Sequence, residues 1–202
     1  MALSALLFVI WWALGTGATL AWFNDADTVR NEFQIGLLNL DVNYKNDIQT
    51  TYTPMLSTSE VFYDEALYEP GYTQVVYLEI ENKGNVDFQY KIAVTVEEVV
   101  EGGGVYLPNY LRCGMVFAES EAVLEEKVSQ RLKARTHATQ ELGTWSEISP
   151  YTFEVGEAPH YAALIIYMPE EVGNAANYRG PQAPSVELGV KIFAQQANAP
   201  ME

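Results

Sequence analysis

Apolar and polar residues alternate along several stretches of the chain, and this period of two is typical of strands with one buried face. The longest alternation covers residues 86–96, and residues 162–168 are apolar on both faces, as expected of a central strand. Between two alternating stretches lies Asn-Lys-Gly-Asn at 82–85, a turn composition that predicts a hairpin. The other predicted strands are residues 38–44, 76–81 and 186–194.

One segment, residues 119–135, has the periodicity of a helix. Leu124, Val128 and Leu132 recur at intervals of four among charged and polar residues. Ser120 precedes acidic residues of the first turn, and basic residues occupy the last turn, in agreement with the helix dipole. Because the apolar stripe is narrow, we expect one helix over the edge of a sandwich, with a solvated charged face and no functional site.

Many short alternating strands with one inserted helix predict an all-β fold, an antiparallel β-sandwich. The sandwich domain is predicted to cover residues 37–194, without an internal repeat or a second domain. Residues 136–159 are interpreted as a long connection with room for one strand, and residues 101–104 (Glu-Gly-Gly-Gly) as a flexible loop. Residues 195–202 are predicted to be a C-terminal tail.

The first 21 residues carry no charge and contain an apolar run at 2–14, followed by small residues. Thr19 and Ala21 occupy the −3 and −1 positions that a signal peptidase reads, so we predict a signal peptide at 1–21, cleaved between Ala21 and Trp22. The apolar run is shorter than the about 20 residues of a transmembrane helix. No Lys or Arg precedes the apolar run, although a signal peptide usually begins with a basic residue. The alternatives to a cleaved signal peptide are a retained membrane anchor or a buried core helix.

The charge balance and the cysteine content narrow the range of partners and cofactors. The chain has 11 basic and 27 acidic residues, a formal charge of −16. A binder of nucleic acid or anionic membrane carries the opposite balance, so we expect neither partner, and membrane contact only through an uncleaved leader. The single cysteine excludes an internal disulfide and a Cys-rich zinc module.

The two histidines do not form the pattern of a catalytic zinc site. His137 and His160 are each expected in a loop, and neither has a second histidine four residues away. Glu157 lies three residues before His160, but Pro159 between them argues against a helix that holds both. We therefore predict no metal ligands and no cofactor.

Other catalytic patterns are equally weak. Cys113 could be a nucleophile, but a lone cysteine beside apolar residues is more often a small core residue. The sequence has no Gly-x-Ser-x-Gly, P-loop or Rossmann motif, and its aspartates are too scattered to place a calcium loop. No catalytic residue is predicted.

The segment around the cleavage position is more specific than a generic signal-peptide junction. Gly15-Thr16 and Ala21-Trp22-Phe23-Asn24-Asp25, followed by Phe33-Gln34-Ile35-Gly36-Leu37-Leu38-Asn39-Leu40, resemble the leader end and first strand of the TasA/camelysin family of secreted bacterial proteins. Further stretches agree with the family in order and spacing: residues 69–72, 78–85, 163–168, 177–180 and 186–195.

The resemblance implies a jelly-roll-like sandwich that is exported with the help of a dedicated signal peptidase. It also implies an extracellular matrix protein, because TasA-like members assemble into biofilm fibres. In that assembly the segment behind the cleavage position acts as a donor strand. Here the donor strand would comprise Trp22, Phe23, Asn24, Asp25, Ala26, Asp27, Thr28 and Val29, within a lead-in at 22–36.

The sequence therefore predicts a secreted structural subunit at the cell surface or in the extracellular matrix. Its main partner would be a second copy, in a head-to-tail homopolymer. Because some camelysin-like relatives are catalogued as metallopeptidases, a secreted peptidase is one alternative. A monomeric surface protein of the same fold is the other.

Overall fold

The computed structural model describes residues 38–46, 49–62, 69–143, 145–177 and 181–197. Strands dominate this part of the chain. They are β1 (Leu40–Lys45), β2 (Thr53–Pro54), β3 (Thr73–Asn82), β4 (Phe88–Val100), β5 (Arg112–Ala118), β6 (Gln140–Glu141), β7 (Trp145–Ile148), β8 (His160–Tyr167) and β9 (Ser185–Gln196). The α-helices are α1 (Glu121–Val128) and α2 (Arg131–Arg135), and 3-10 turns span Leu107–Tyr110 and Glu170–Ala176.

The strands form two antiparallel sheets that pack face to face, which confirms the predicted all-β sandwich. The larger sheet has the order β2-β1-β3-β8-β5-β6, and the smaller sheet has the order β7-β4-β9. The chain crosses between the sheets from β3 to β4, from β4 to β5, from β6 to β7, from β7 to β8 and from β8 to β9. Crossing connections of this kind are typical of jelly-roll-like sandwiches.

The main core fills the space between the sheets with the apolar residues of each alternating strand. One fully buried aliphatic or aromatic side chain contributes about 1.5–3 kcal/mol relative to its exposure in water. Alternation therefore decides which face of each strand turns inward. The largest fully buried side chains of this core are Leu78, Ile80, Phe88, Tyr90, Ile92, Phe153 and Leu164.

β8 is the central strand that the apolar stretch at 162–168 predicts. It pairs with β3 on one side and with β5 on the other, and Ala162 to Ile166 are all buried. β5 was not predicted from the sequence, because Arg112, Cys113 and Gly114 at its start break the alternation.

The predicted hairpin at residues 82–85 is wrong. β3 pairs with β1 and β8, whereas β4 pairs with β7 and β9, so the turn carries the chain from one sheet to the other. Asn82 holds this crossing, because its side chain donates to Val86 O at 3.0 Å and accepts from Gly84 N at 2.9 Å. Two strands that face each other across a core show the same alternation as two strands paired in one sheet.

The predicted helix is correct in place but not in length. It divides into α1 and α2, because Gln130 adopts an extended conformation between them (φ −96°, ψ 122°). Ser120 caps α1 by accepting from Val123 N, as expected. Both helices pack over the outer face of the larger sheet and not over its edge, where Leu124, Val128 and Ala134 join a second buried cluster.

The connecting segments differ slightly from the expectation. The stretch 136–159 contains two short strands, β6 and β7, and β9 continues to Gln196, two residues beyond the predicted end of the sandwich. In the loop at 101–104, Gly103 and Gly104 have positive φ values of 57° and 81°, and Gly102 and Val105 form an isolated bridge.

Candidate functional site

β9 lies at the margin of the smaller sheet and presents a long open edge. It pairs with β4 over its whole length, from Ser185↔Val100 to Gln196↔Phe88, and with no other strand among the residues that the structure describes. The other marginal strands are much shorter, since β2 and β6 have two residues each and β7 has four. Among the strands that the structure describes, the open side of β9 is therefore the longest edge at which a further strand could be added.

A groove of about 720 Å³ runs beside this edge. Residues 185–191 of β9 form one wall, and residues 55–57 and 59–62 form the other. Leu111, Ile166 and Gln74 line it from the side of the larger sheet and its flanking loop. The groove thus opens between the two sheets and lies directly against the backbone of β9.

The groove has the chemistry of a site for an extended chain. Val186, Leu188 and Val190 occupy alternate positions of β9, are half-buried, and pack against the core clusters. Phe62 and Leu107 add apolar surface from neighbouring segments. An added strand could hydrogen-bond to the β9 backbone while every second side chain enters an apolar pocket.

The opposite face of β9 carries a polar group around Lys191. A β-bulge between Val96 and Glu98 places Glu97 next to β9, where Glu97 Oε1 lies 3.3 Å from Lys191 Nζ and accepts a hydrogen bond from the Thr95 hydroxyl. The Thr95 hydrogen bond and then Lys191 hold the pKa of the Glu97 carboxyl below its usual value. Gly189 leaves room for this group, since a Cβ there would lie 2.7 Å from Thr95 Oγ1.

The residues predicted for cleavage and strand donation lie outside the described residues. These are Ala21 and Trp22 for cleavage, and Trp22, Phe23, Asn24, Asp25, Ala26, Asp27, Thr28 and Val29 for donation. The structure therefore describes the edge and groove of β9, while the donor strand stays a prediction.

The expectation that His160 lies in a loop is wrong. His160 is the first residue of β8, is 1 % exposed, and stacks on Phe153 with ring centroids 4.1 Å apart. Its Nε2 lies 3.2 Å from Glu157 Oε1. His137 lies in the turn after α2. In the described ranges, no three His, Cys, Asp or Glu side chains are grouped to share a metal ion.

Cys113 is a buried core residue, as the sequence predicts. It lies in β5 between Leu142, Ile166 and neighbouring apolar side chains, and its thiol donates to Glu141 O at 3.5 Å. Burial raises the pKa of the thiol to about 11, so the group is a neutral thiol at physiological pH. A neutral buried thiol is a poor nucleophile.

Sequence reasoning found β9 but not the groove beside it. The alternation of residues 186–194 shows that one face is buried, whereas it contains no sign of which backbone edge lacks a neighbour. The only local signal is Gly189 within an otherwise regular strand, because a glycine in a strand often marks a close approach or a bulge.

In the described part of the chain, no helix has both the length and the apolar character needed to cross a membrane. No protein-family model matches the chain, and no curated protein matches it.

Proposed function

We propose that this protein is a secreted structural subunit that polymerises into extracellular, biofilm-matrix fibres. Each subunit would donate residues 22–29 as a strand to the next subunit. The observation that carries the proposal is the twelve-residue open edge of β9 beside an apolar groove. The resemblance of the leader junction and of several strands to the TasA/camelysin family supports the same function.

A strand added from a neighbouring subunit would cover the open edge of β9. An open edge exposes unpaired N–H and C=O groups and is an aggregation hazard unless it is covered. A donated strand satisfies these groups and fills the groove with alternate side chains. Because donor and acceptor are different surfaces, the contact is heterologous and produces an open filament and not a closed dimer.

Cleavage after Ala21 would control where polymerisation begins. The donor segment follows the leader directly, so its N-terminus is released only when the signal peptidase acts during export. Subunits inside the cell would therefore keep the donor segment tethered to the leader. The proposed partners are therefore a second copy of the chain and, during export, the signal peptidase.

The experiment that tests the proposal is electron microscopy of three purified chains. The mature chain (residues 22–202) is expected to form filaments, and a chain that begins at residue 31 is expected to be a folded monomer. The matched control lacks residues 198–202 and should form filaments like the mature chain. If the chain beginning at residue 31 still forms them, or if the mature chain is a monomer, the proposal is wrong.

A further inference from the structure

We infer that the open edge of β9 accepts residues 22–29 of a second copy, and that Lys191 determines the specificity of this contact by binding the carboxylates of Asp25 and Asp27. This inference rests on the proposed function and adds to it the acceptor strand and the charged residue that selects the donor.

Alternation in the donor decides which of its side chains can enter the groove. Successive side chains of a strand point to opposite faces, so residues 22–29 divide into two sets of four. One set is uncharged and comprises Trp22, Asn24, Ala26 and Thr28. The other set comprises Phe23, Asp25, Asp27 and Val29 and therefore contains both carboxylates. Burying unpaired carboxylates is strongly unfavourable, so the uncharged set faces the groove.

The two aspartates then lie on the same face of the sheet as Lys191. Val186, Leu188 and Val190 of β9 turn towards the core, so the intervening positions Gly189 and Lys191 turn to the opposite face. Gly189 has no side chain to obstruct an added strand. Lys191 carries three N–H donors, so it can bind a further carboxylate while it contacts Glu97.

The surrounding charges make Lys191 the residue that favours an acidic donor. The groove and its rim carry Glu60, Glu97 and Glu187, and Lys191 is the one basic side chain among the residues that line it in the described structure. Opposite charges directly across a strand pair stabilise the pairing, and like charges destabilise it. Without Lys191, a donor with two aspartates would meet carboxylates alone.

The dimensions of the two segments also agree. Eight extended residues span about 26 Å at the usual rise of a strand. The part of β9 from 186 to 193 has the same number of residues, covers most of the groove wall, and has Lys191 in its second half. The donor therefore has the length to reach from the groove to Lys191 and beyond.

The test is charge reversal at Lys191 in the mature chain, with Lys91→Glu as the matched control. Lys91 lies on the same face of the sheet in β4, where its Nζ lies 5.4 Å from the centre of the Phe193 ring. Lys91→Glu changes the net charge of the chain by the same amount as Lys191→Glu. Lys191→Glu should raise the critical concentration for filaments about tenfold. Lys91→Glu should leave it within about twofold of the unmodified mature chain.

A second pair of variants tests the donor side. The first of them leaves Lys191 unchanged, so its result does not depend on the folding of the Lys191 variant. The double variant Asp25→Lys/Asp27→Lys should raise the critical concentration for filaments about tenfold. Adding Lys191→Glu to this double variant should restore filaments, because the charges of donor and acceptor are then opposite again. An equal mixture of Lys191→Glu with the chain beginning at residue 31 should stop at dimers, because only one donor and one intact acceptor remain.

The outcomes separate this inference from the proposed function. If Lys191→Glu polymerises like the mature chain, or Lys91→Glu weakens assembly equally, Lys191 does not select the donor. The fibre function then stands, provided that removal of residues 22–30 abolishes filaments. If that removal has no effect, both the function and the acceptor assignment are wrong.

Discussion

Gly114 in β5 allows the loop after α2 to pass directly over the larger sheet. A Cβ at this position would overlap the carbonyl oxygen of His137 and lie 2.7 Å from Ala138 Cα. Both groups are backbone, so they cannot move aside as the end of a flexible side chain can. Ala138 is itself buried in the cluster beneath the helices. This close approach seats the helical segment on the sheet.

We expect Gly114→Ala to reduce the free energy of unfolding by about 1–3 kcal/mol or more, because overpacking forces the backbone apart. Urea unfolding of the mature chain measures the change. Gly143→Ala is the control, since a Cβ at Gly143 meets no atom within 4 Å. An equal loss in both variants would show that the space around Gly114 is not the cause.

At the scale of elements, the two helices are held by side chains that bind strand-end backbone. Arg131 donates to Thr73 O, and Arg135 donates to Gly71 O and to Thr73 Oγ1. Lys127 donates to Phe117 O at 3.1 Å. Arg131 and Arg135, which the sequence assigned to the helix dipole, therefore also attach α2 to the start of β3, and Lys127 attaches α1 to β5.

The break at Gln130 changes which apolar residues of this segment are buried. Leu124 is fully buried, whereas Leu132 is 72 % exposed. Leu124→Ala should therefore cost about 2–5 kcal/mol of unfolding free energy. The same change at Leu132 should stay within about 0.5 kcal/mol. Chemical denaturation of both variants checks this difference, and similar losses would mean that the segment is one continuous helix with one buried stripe.

At the scale of the whole molecule, the formal charge of −16 opposes any association between copies. The leader carries no charge, so residues 22–202 retain all of it. Salt screens such repulsion, because the Debye length falls from about 30 Å at 0.01 M to about 3 Å at 1 M. One ion pair at Lys191 contributes to specificity but does not offset repulsion between whole subunits.

We therefore expect salt to promote filament formation by the mature chain. Raising NaCl from about 0.02 M to 0.5 M should lower the critical concentration by a factor of about 3–10. Sedimentation of filaments at each concentration measures it. The chain beginning at residue 31 should remain monomeric at both salt concentrations, which excludes general salting out. A critical concentration that rises with salt would contradict this expectation.

The fold was predictable where local pattern and burial agree. β1, β3, β4 and β9 lie within or around stretches of period two, and the doubly apolar stretch at 162–168 became the central β8. β5 was missed because Cys113 and Gly114, both buried, break the alternation of apolar and polar residues that predicts a strand. The groove was not predictable, because it depends on the position of β9 relative to residues 55–62 and Leu111, far away in sequence.

The sequence by itself determined the class of fold, the faces that turn inward, and the cap of α1 at Ser120, because these depend on contacts within a few residues of each other. Only the tertiary structure decided that β3 and β4 lie in different sheets, that Leu132 faces outward, and that one edge of β9 has no neighbouring strand among the described residues. The physical reason is that alternation reports which side of a strand is buried. It contains no information about which backbone lies next to that strand.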